Sequence, residues 1–99
     1  MRLSEYQKNT ILDLINSVLG PDATVTLFGS RVDDQQKGGD IDLMLETKHA
    51  ILNPAEIKAI IAAKLAIAFN DQKVDILLSA PNLQHHPIHD IAKKNGIRL

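Results

Sequence analysis

The chain has 99 residues, no cysteine and a formal charge of -1, which excludes disulfide staples, thiolate metal sites and the basic footprint of a dedicated nucleic-acid-binding module. A hydrophobic fraction of 44% with only 3% aromatics points to one domain, residues 1–99, built on an aliphatic core. Met1 to Tyr6 lacks the apolar segment of a signal peptide, and the most apolar stretch, Ile57 to Phe69, is interrupted by Lys58 and Lys64 and is too short to span a bilayer. A cytoplasmic protein without membrane association is expected.

In chain order, Ser4 and Gln7 form a capping box that opens a helix, with Tyr6, Ile11, Leu14, Ile15 and Val18 on one face. Gly20-Pro21 ends it, the glycine suiting a left-handed cap. Thr24 to Phe28 reads as a strand stopping at Gly29. A polar segment from Arg31, compatible with a short helix, runs to Gly38-Gly39. The next strand, Asp40 to about Glu46, alternates Ile41, Leu43 and Leu45 with Asp40, Asp42 and Met44. Asn53-Pro54-Ala55-Glu56 carries an Asn cap, a first-turn proline and a Glu reaching back; Ile57, Ile60, Ile61, Leu65 and Ala68 form the buried stripe of the helix that follows. Lys73 to Leu78 is a third strand, Pro87 to Lys94 a last helix closed by Asn95-Gly96, and Ile97 to Leu99 a short edge strand. These elements predict an α+β fold, a small mixed β-sheet with helices packed on one face.

Three features bear on chemistry. A strand that ends in Gly29-Ser30 and turns into a helix lets the backbone approach a phosphate, with the Ser30 amide and hydroxyl as donors; alone, such a turn is common in any protein. Asp40 and Asp42, two apart in a strand, leave the same face with Cα atoms about 6.5–7 Å apart. Their repulsion calls for compensation, which a divalent cation held by oxygen supplies; otherwise Asp40 is a turn residue and Asp42 a solvated strand position. Asp75 lies mid-strand between Val74 and Ile76. If that strand neighbours Asp40 and Asp42, three carboxylates share a face, as suits two metal ions about 3.5–4 Å apart; otherwise Asp75 is an edge position facing water.

The runs Leu27-Phe28-Gly29-Ser30-Arg31, Gly39-Asp40-Ile41-Asp42-Leu43 and Val74-Asp75-Ile76 together resemble the DNA-polymerase-β-type nucleotidyltransferase superfamily, and within it the minimal nucleotidyltransferases (the MNT group), antitoxin halves of HEPN/MNT pairs. The resemblance implies the nucleotidyltransferase fold, with Gly29 and Ser30 on the β- and γ-phosphates of ATP as substrate and Arg31 as a phosphate-neutralising candidate. It implies Asp40, Asp42 and Asp75 as catalytic residues and ligands of Mg2+, Asp75 also helping to activate the acceptor hydroxyl. The implied partner is a HEPN-type helical toxin in a hetero-oligomer, the reaction AMP transfer to a hydroxyl of that protein. A non-catalytic antitoxin acting by occlusion is the alternative, and adenylylation of a small molecule such as an aminoglycoside a third. The chain departs from many relatives in Val32-Asp33-Asp34, where small or basic residues are usual, and in Gly39, where Ser commonly precedes the first Asp.

Lys37 is a weaker phosphate candidate than Arg31, since surface lysines are usually just solvated. His85, His86 and His89 cluster near a helix start, where helix capping or partner contact is expected over metal binding. Met44 shares the face of the acids and is expected to pack rather than to touch a base.

Overall fold

The computed structural model describes residues 1–33 and 39–99. The elements are α1 (Glu5–Leu19), β1 (Thr24–Phe28), a 3-10 turn (Gly29–Val32), β2 (Ile41–Glu46), α2 (Pro54–Ala68), β3 (Val74–Ser79), α3 (Pro87–Asn95) and β4 (Ile97–Arg98). Among the described residues four strands form one mixed sheet in the order β3-β2-β1-β4. β1 runs antiparallel to β2 and β4, while β2 and β3 are parallel, because α2 is a crossover that carries the chain back to the starting edge. No helix among the described residues is long and apolar enough to cross a membrane.

The core lies between the sheet and the two long helices. Ile11 and Ile15 of α1 and Ile61 and Leu65 of α2 meet Val25, Leu27, Ile41, Leu43, Leu45, Ile76 and Leu78, all buried. The alternation of β2 is as expected: Ile41, Leu43 and Leu45 face this core and Asp42 and Met44 face away from it. Helices on one face describes α1 and α2. The shorter α3 contacts β1 and β2 from the side of Met44 and Thr26, both buried although neither belongs to the main core.

Several local expectations are corrected. Tyr6 is 64% exposed and only edges against Phe69, ring centroids 6.4 Å apart; the buried positions of α1 are Ile11, Ile15 and Leu19. Gly20 has φ +100° but an extended ψ of 165°, so it ends α1 without a left-handed cap. Asn53 does not cap α2 through its side chain; its amide donates to the Glu56 carboxylate at 2.9 Å. Ile60 is 37% exposed, on the flank of α2 rather than in the buried stripe. The short helix begins at Gly29, two residues before Arg31.

The histidines serve the fold. His89 is buried, its Nε2–H donating to the Leu78 carbonyl (2.9 Å) and its Nδ1 accepting from the His86 amide (2.9 Å), which fixes one tautomer and ties α3 to the end of β3. His85 pairs with Asp90 at 2.9 Å. His89→Phe keeps an aromatic ring, though a larger one, but orphans two backbone groups, and is expected to cost about 2–3 kcal/mol, on the order of 10 °C in Tm, measured by thermal denaturation.

Candidate active site

The site is a row across the sheet. Asp42 of β2 pairs in register with Phe28 of β1 on one side and with Asp75 of β3 on the other. Paired residues on adjacent strands direct their side chains to the same face, with strands about 4.8 Å apart, so Asp75 does share the face of Asp42. Asp40, two residues upstream, lies on that face one residue before β2, which begins at Ile41 rather than at Asp40 as expected. The three expected carboxylates are thus neighbours, half-buried at Asp40 and Asp42 and exposed at Asp75.

The same register explains the turn. Phe28 lies opposite Asp42, so the residue after it, Gly29, lands against the Asp42 carboxylate. A Cβ at Gly29 would overlap that carboxylate, and Gly29 has φ +75°, so the position demands glycine twice over. Gly39, φ +90°, is pressed against the Ser30 side chain in the same way. Here the departure from a serine before the first Asp goes with the backbone: at φ +90° a side chain is strained, and one would also require the Ser30 hydroxyl to rotate away. Gly29, Ser30, Gly39 and Asp42 therefore form one packed unit.

Arg31, expected to face phosphate, is engaged on the protein itself. Its guanidinium donates to the carbonyls of Arg2 (3.1 Å) and Gly39 (3.4 Å) and to the Gln72 side-chain oxygen (3.1 Å). Arg2 reciprocates, donating to the carbonyls of Ser30 (3.0 Å) and Asp33 (3.1 Å). Gln72 closes the ring with a 3.4 Å bond to Gly39. The turn is thus clamped to the N-terminal segment and to the start of β3. Asp33 is exposed, whereas Asp34, Lys37 and Gly38 lie outside the described residues.

Electrostatically the row is strained by its own charge. The Asp42 carboxyl is pushed above its ordinary value, first by burial, then by the charges of Asp75 and Asp40 and by a hydrogen bond shared with Asp75. Lys73 opposes this, its ammonium lying 3.6 Å from Asp40 Oδ2 and 3.9 Å from Asp75 Oδ1. Among the described residues no three acidic or imidazole groups are gathered closely enough to hold a metal ion as they stand. Arg2, Gln72 and Lys73 were not anticipated; of these only Lys73, two residues from Asp75, carried a signal in the sequence.

No family model and no curated protein matches the sequence. Solved structures do. A chain of the MntA-HpeT toxin–antitoxin pair, in a variant with two Asp-to-Glu substitutions, superposes with a TM-score of 0.67 and 21% identity, covering 92% of this chain and 70% of that one. A tri-AMPylated Shewanella oneidensis HEPN toxin in complex with MNT antitoxin gives 0.66 and 21%, covering 95% and 69%. A second MntA-HpeT variant, Tyr to Ala, gives 0.68 and 24%, covering 93% and 70%. The likeness shows the fold: an α+β domain with a mixed sheet, shared with these structures. More narrowly, its sheet and helices follow those of MNT proteins from toxin–antitoxin pairs.

Proposed function

We propose that the protein is a metal-dependent nucleotidyltransferase that moves AMP from ATP to a hydroxyl of a partner protein, as the antitoxin of a helical HEPN-type toxin. The observation that carries this is the in-register pairing of Asp42 with Asp75, with Gly29 against the Asp42 carboxylate. It sets the Gly29-Ser30 turn beside the acids. Among the structural neighbours is an AMPylated HEPN toxin in complex with MNT antitoxin, which supports the same partner class.

Magnesium fits the donor set, all hard carboxylate oxygens, with Asp40, Asp42 and Asp75 to hold it. Burial and then repulsion by its neighbours raise the Asp42 carboxyl, and an ammonium is already drawn to the other two acids. When bound, the ion would supply charge neutralisation at the α-phosphate and the departing pyrophosphate. The protein's own part is positioning. The Gly29 and Ser30 amides receive phosphate oxygens, and the Arg2–Arg31–Gln72 clamp keeps that turn from moving. Asp75, the most exposed of the three acids, accepts the proton of the acceptor hydroxyl as its oxygen bonds the α-phosphorus and the bond to pyrophosphate breaks. Exposure at Asp75 suits an acceptor delivered by another protein.

The test is incubation with magnesium, α-labelled ATP and the purified product of the adjacent gene. Label is expected on the partner, and to disappear with the wild-type protein in excess EDTA. Absence of label with a partner that nevertheless binds and is neutralised would overturn the catalytic assignment in favour of occlusion.

A further inference from the structure

Lys73 immediately precedes β3. Its carbonyl accepts from the Ile41 amide at 3.1 Å, and Ile41 pairs with Val74, so Lys73 is level with Asp40 in the row before Asp42 and Asp75. From there its ammonium reaches both outer acids, at 3.6 and 3.9 Å. Both distances exceed the roughly 2.7–2.9 Å of a tight charge-assisted hydrogen bond. The ammonium therefore sits between two carboxylates, locked to neither, on a side chain that is 69% exposed. It supplies the positive charge this acidic row lacks, in the place where a metal ion would compete for the same oxygens.

We propose that Lys73 is a resident counter-ion of the acidic row: it holds Asp40 and Asp75 in the metal-free protein and must release them when a divalent cation binds, so it sets the metal affinity of the site. This rests on the assignment of Asp40, Asp42 and Asp75 as metal ligands. An ammonium on a four-carbon stem can leave without backbone movement. Its release brings no clash, and the next residue toward the turn, Gln72, stays fixed to Gly39 and Arg31. The exchange is thus confined to one flexible side chain.

Mn2+ binding, followed by electron paramagnetic resonance or calorimetry with the full chain at moderate salt, tests the exchange. Lys73→Met should tighten Mn2+ by about two- to tenfold, the scale expected when exposed ion pairs no longer compete. Lys73→Arg, which keeps the charge, should stay near wild type, and Lys93→Met on α3, beside Thr24 and Glu46 at the opposite end of β2 from Asp42, should not change affinity, since distant exposed charges are screened. Without metal, Lys73→Met should melt lower than wild type, and saturating Mn2+ should close the gap. A folded Lys73→Met protein that binds Mn2+ no more tightly than wild type, or equally with Lys93→Met, overturns the proposal. If neither wild type nor Lys73→Met binds Mn2+, the metal-site assignment itself falls, and the proposal with it.

Discussion

Asp42→Asn is expected to abolish AMP transfer and, in the metal-free protein, to raise the melting temperature. The two effects share a cause. Asp42 is the central acid of the row, flanked by Asp75 in register and by Asp40 two residues upstream, so its charge is the one most opposed by its surroundings. Its carboxyl is raised by burial, by both neighbouring acids and by the bond to Asp75. A group whose folded pKa exceeds its unfolded one binds more protons in the native state across the interval between the two. Its contribution to stability is therefore complete below the unfolded value and is lost as pH rises through the folded value. At neutral pH wild type has lost that contribution, and asparagine, which does not titrate, never incurs the loss. The Tm difference, variant minus wild type in EDTA, should be larger near about pH 7 than near about pH 4 and should shrink in high salt. Partial exposure keeps it below about 1 kcal/mol, a few degrees at most. Transfer, by contrast, should fall by about a hundredfold to a thousandfold or more, the scale of removing a preorganised electrostatic contact. A variant that melts higher yet still transfers label at the wild-type rate would remove Asp42 from the machinery.

Why this acid and not another can be traced to what the chain shows locally and what it does not. Alternation along Ile41–Glu46 was visible because one face of the sheet is buried, which forces a period of two. That put Asp40 and Asp42 on a common face from the sequence alone. Their relation to Asp75 was not visible, since adjacency and register of β2 and β3 depend on how α2 packs. The parallel sense was implicit, because a strand, a long helix and a second strand make a crossover. The inward face of α2 was harder to read. Residues Ala55, Ala59, Ala63 and Ile67, which is 78% exposed, leave the helix apolar on nearly every side, so periodicity could not exclude Ile60 from the buried stripe. The chemistry of Arg31 points to phosphate, whereas its guanidinium bonds partners 29, 8 and 41 positions away, a closure that no local pattern records. Gly39 reads locally as a replaced serine; its φ of +90° is a backbone property that no local pattern records.

Gly29→Ala should separate the steric demand of the site from ordinary backbone strain. At φ +75° an alanine pays the left-handed penalty of about 1–2 kcal/mol, which predicts a Tm lowered by roughly 5–10 °C. Gly20, at φ +100° with no atom within 4 Å of a hypothetical Cβ, provides the control. Gly20→Ala incurs backbone strain of its own at the end of α1, with φ +100° and ψ 165° in a region essentially confined to glycine, away from the acids in the fold, and should lose stability without losing activity. At Gly29 the new methyl would also overlap the Asp42 carboxylate, whose nearest atoms include its Cγ at 3.1 Å and Cβ at 3.4 Å. A carboxylate can rotate away at small cost to stability, so the second penalty falls on function. Mn2+ affinity and AMP transfer should both drop by at least about tenfold in Gly29→Ala and stay near wild type in Gly20→Ala, at matched temperatures below either transition. If the two variants lose stability alike and both keep full metal affinity, the turn does not position Asp42 and its glycine serves the backbone alone. If only Gly29→Ala loses the metal, the phosphate turn and the acidic row are one device, held in contact because β1 and β2 pair Phe28 with Asp42.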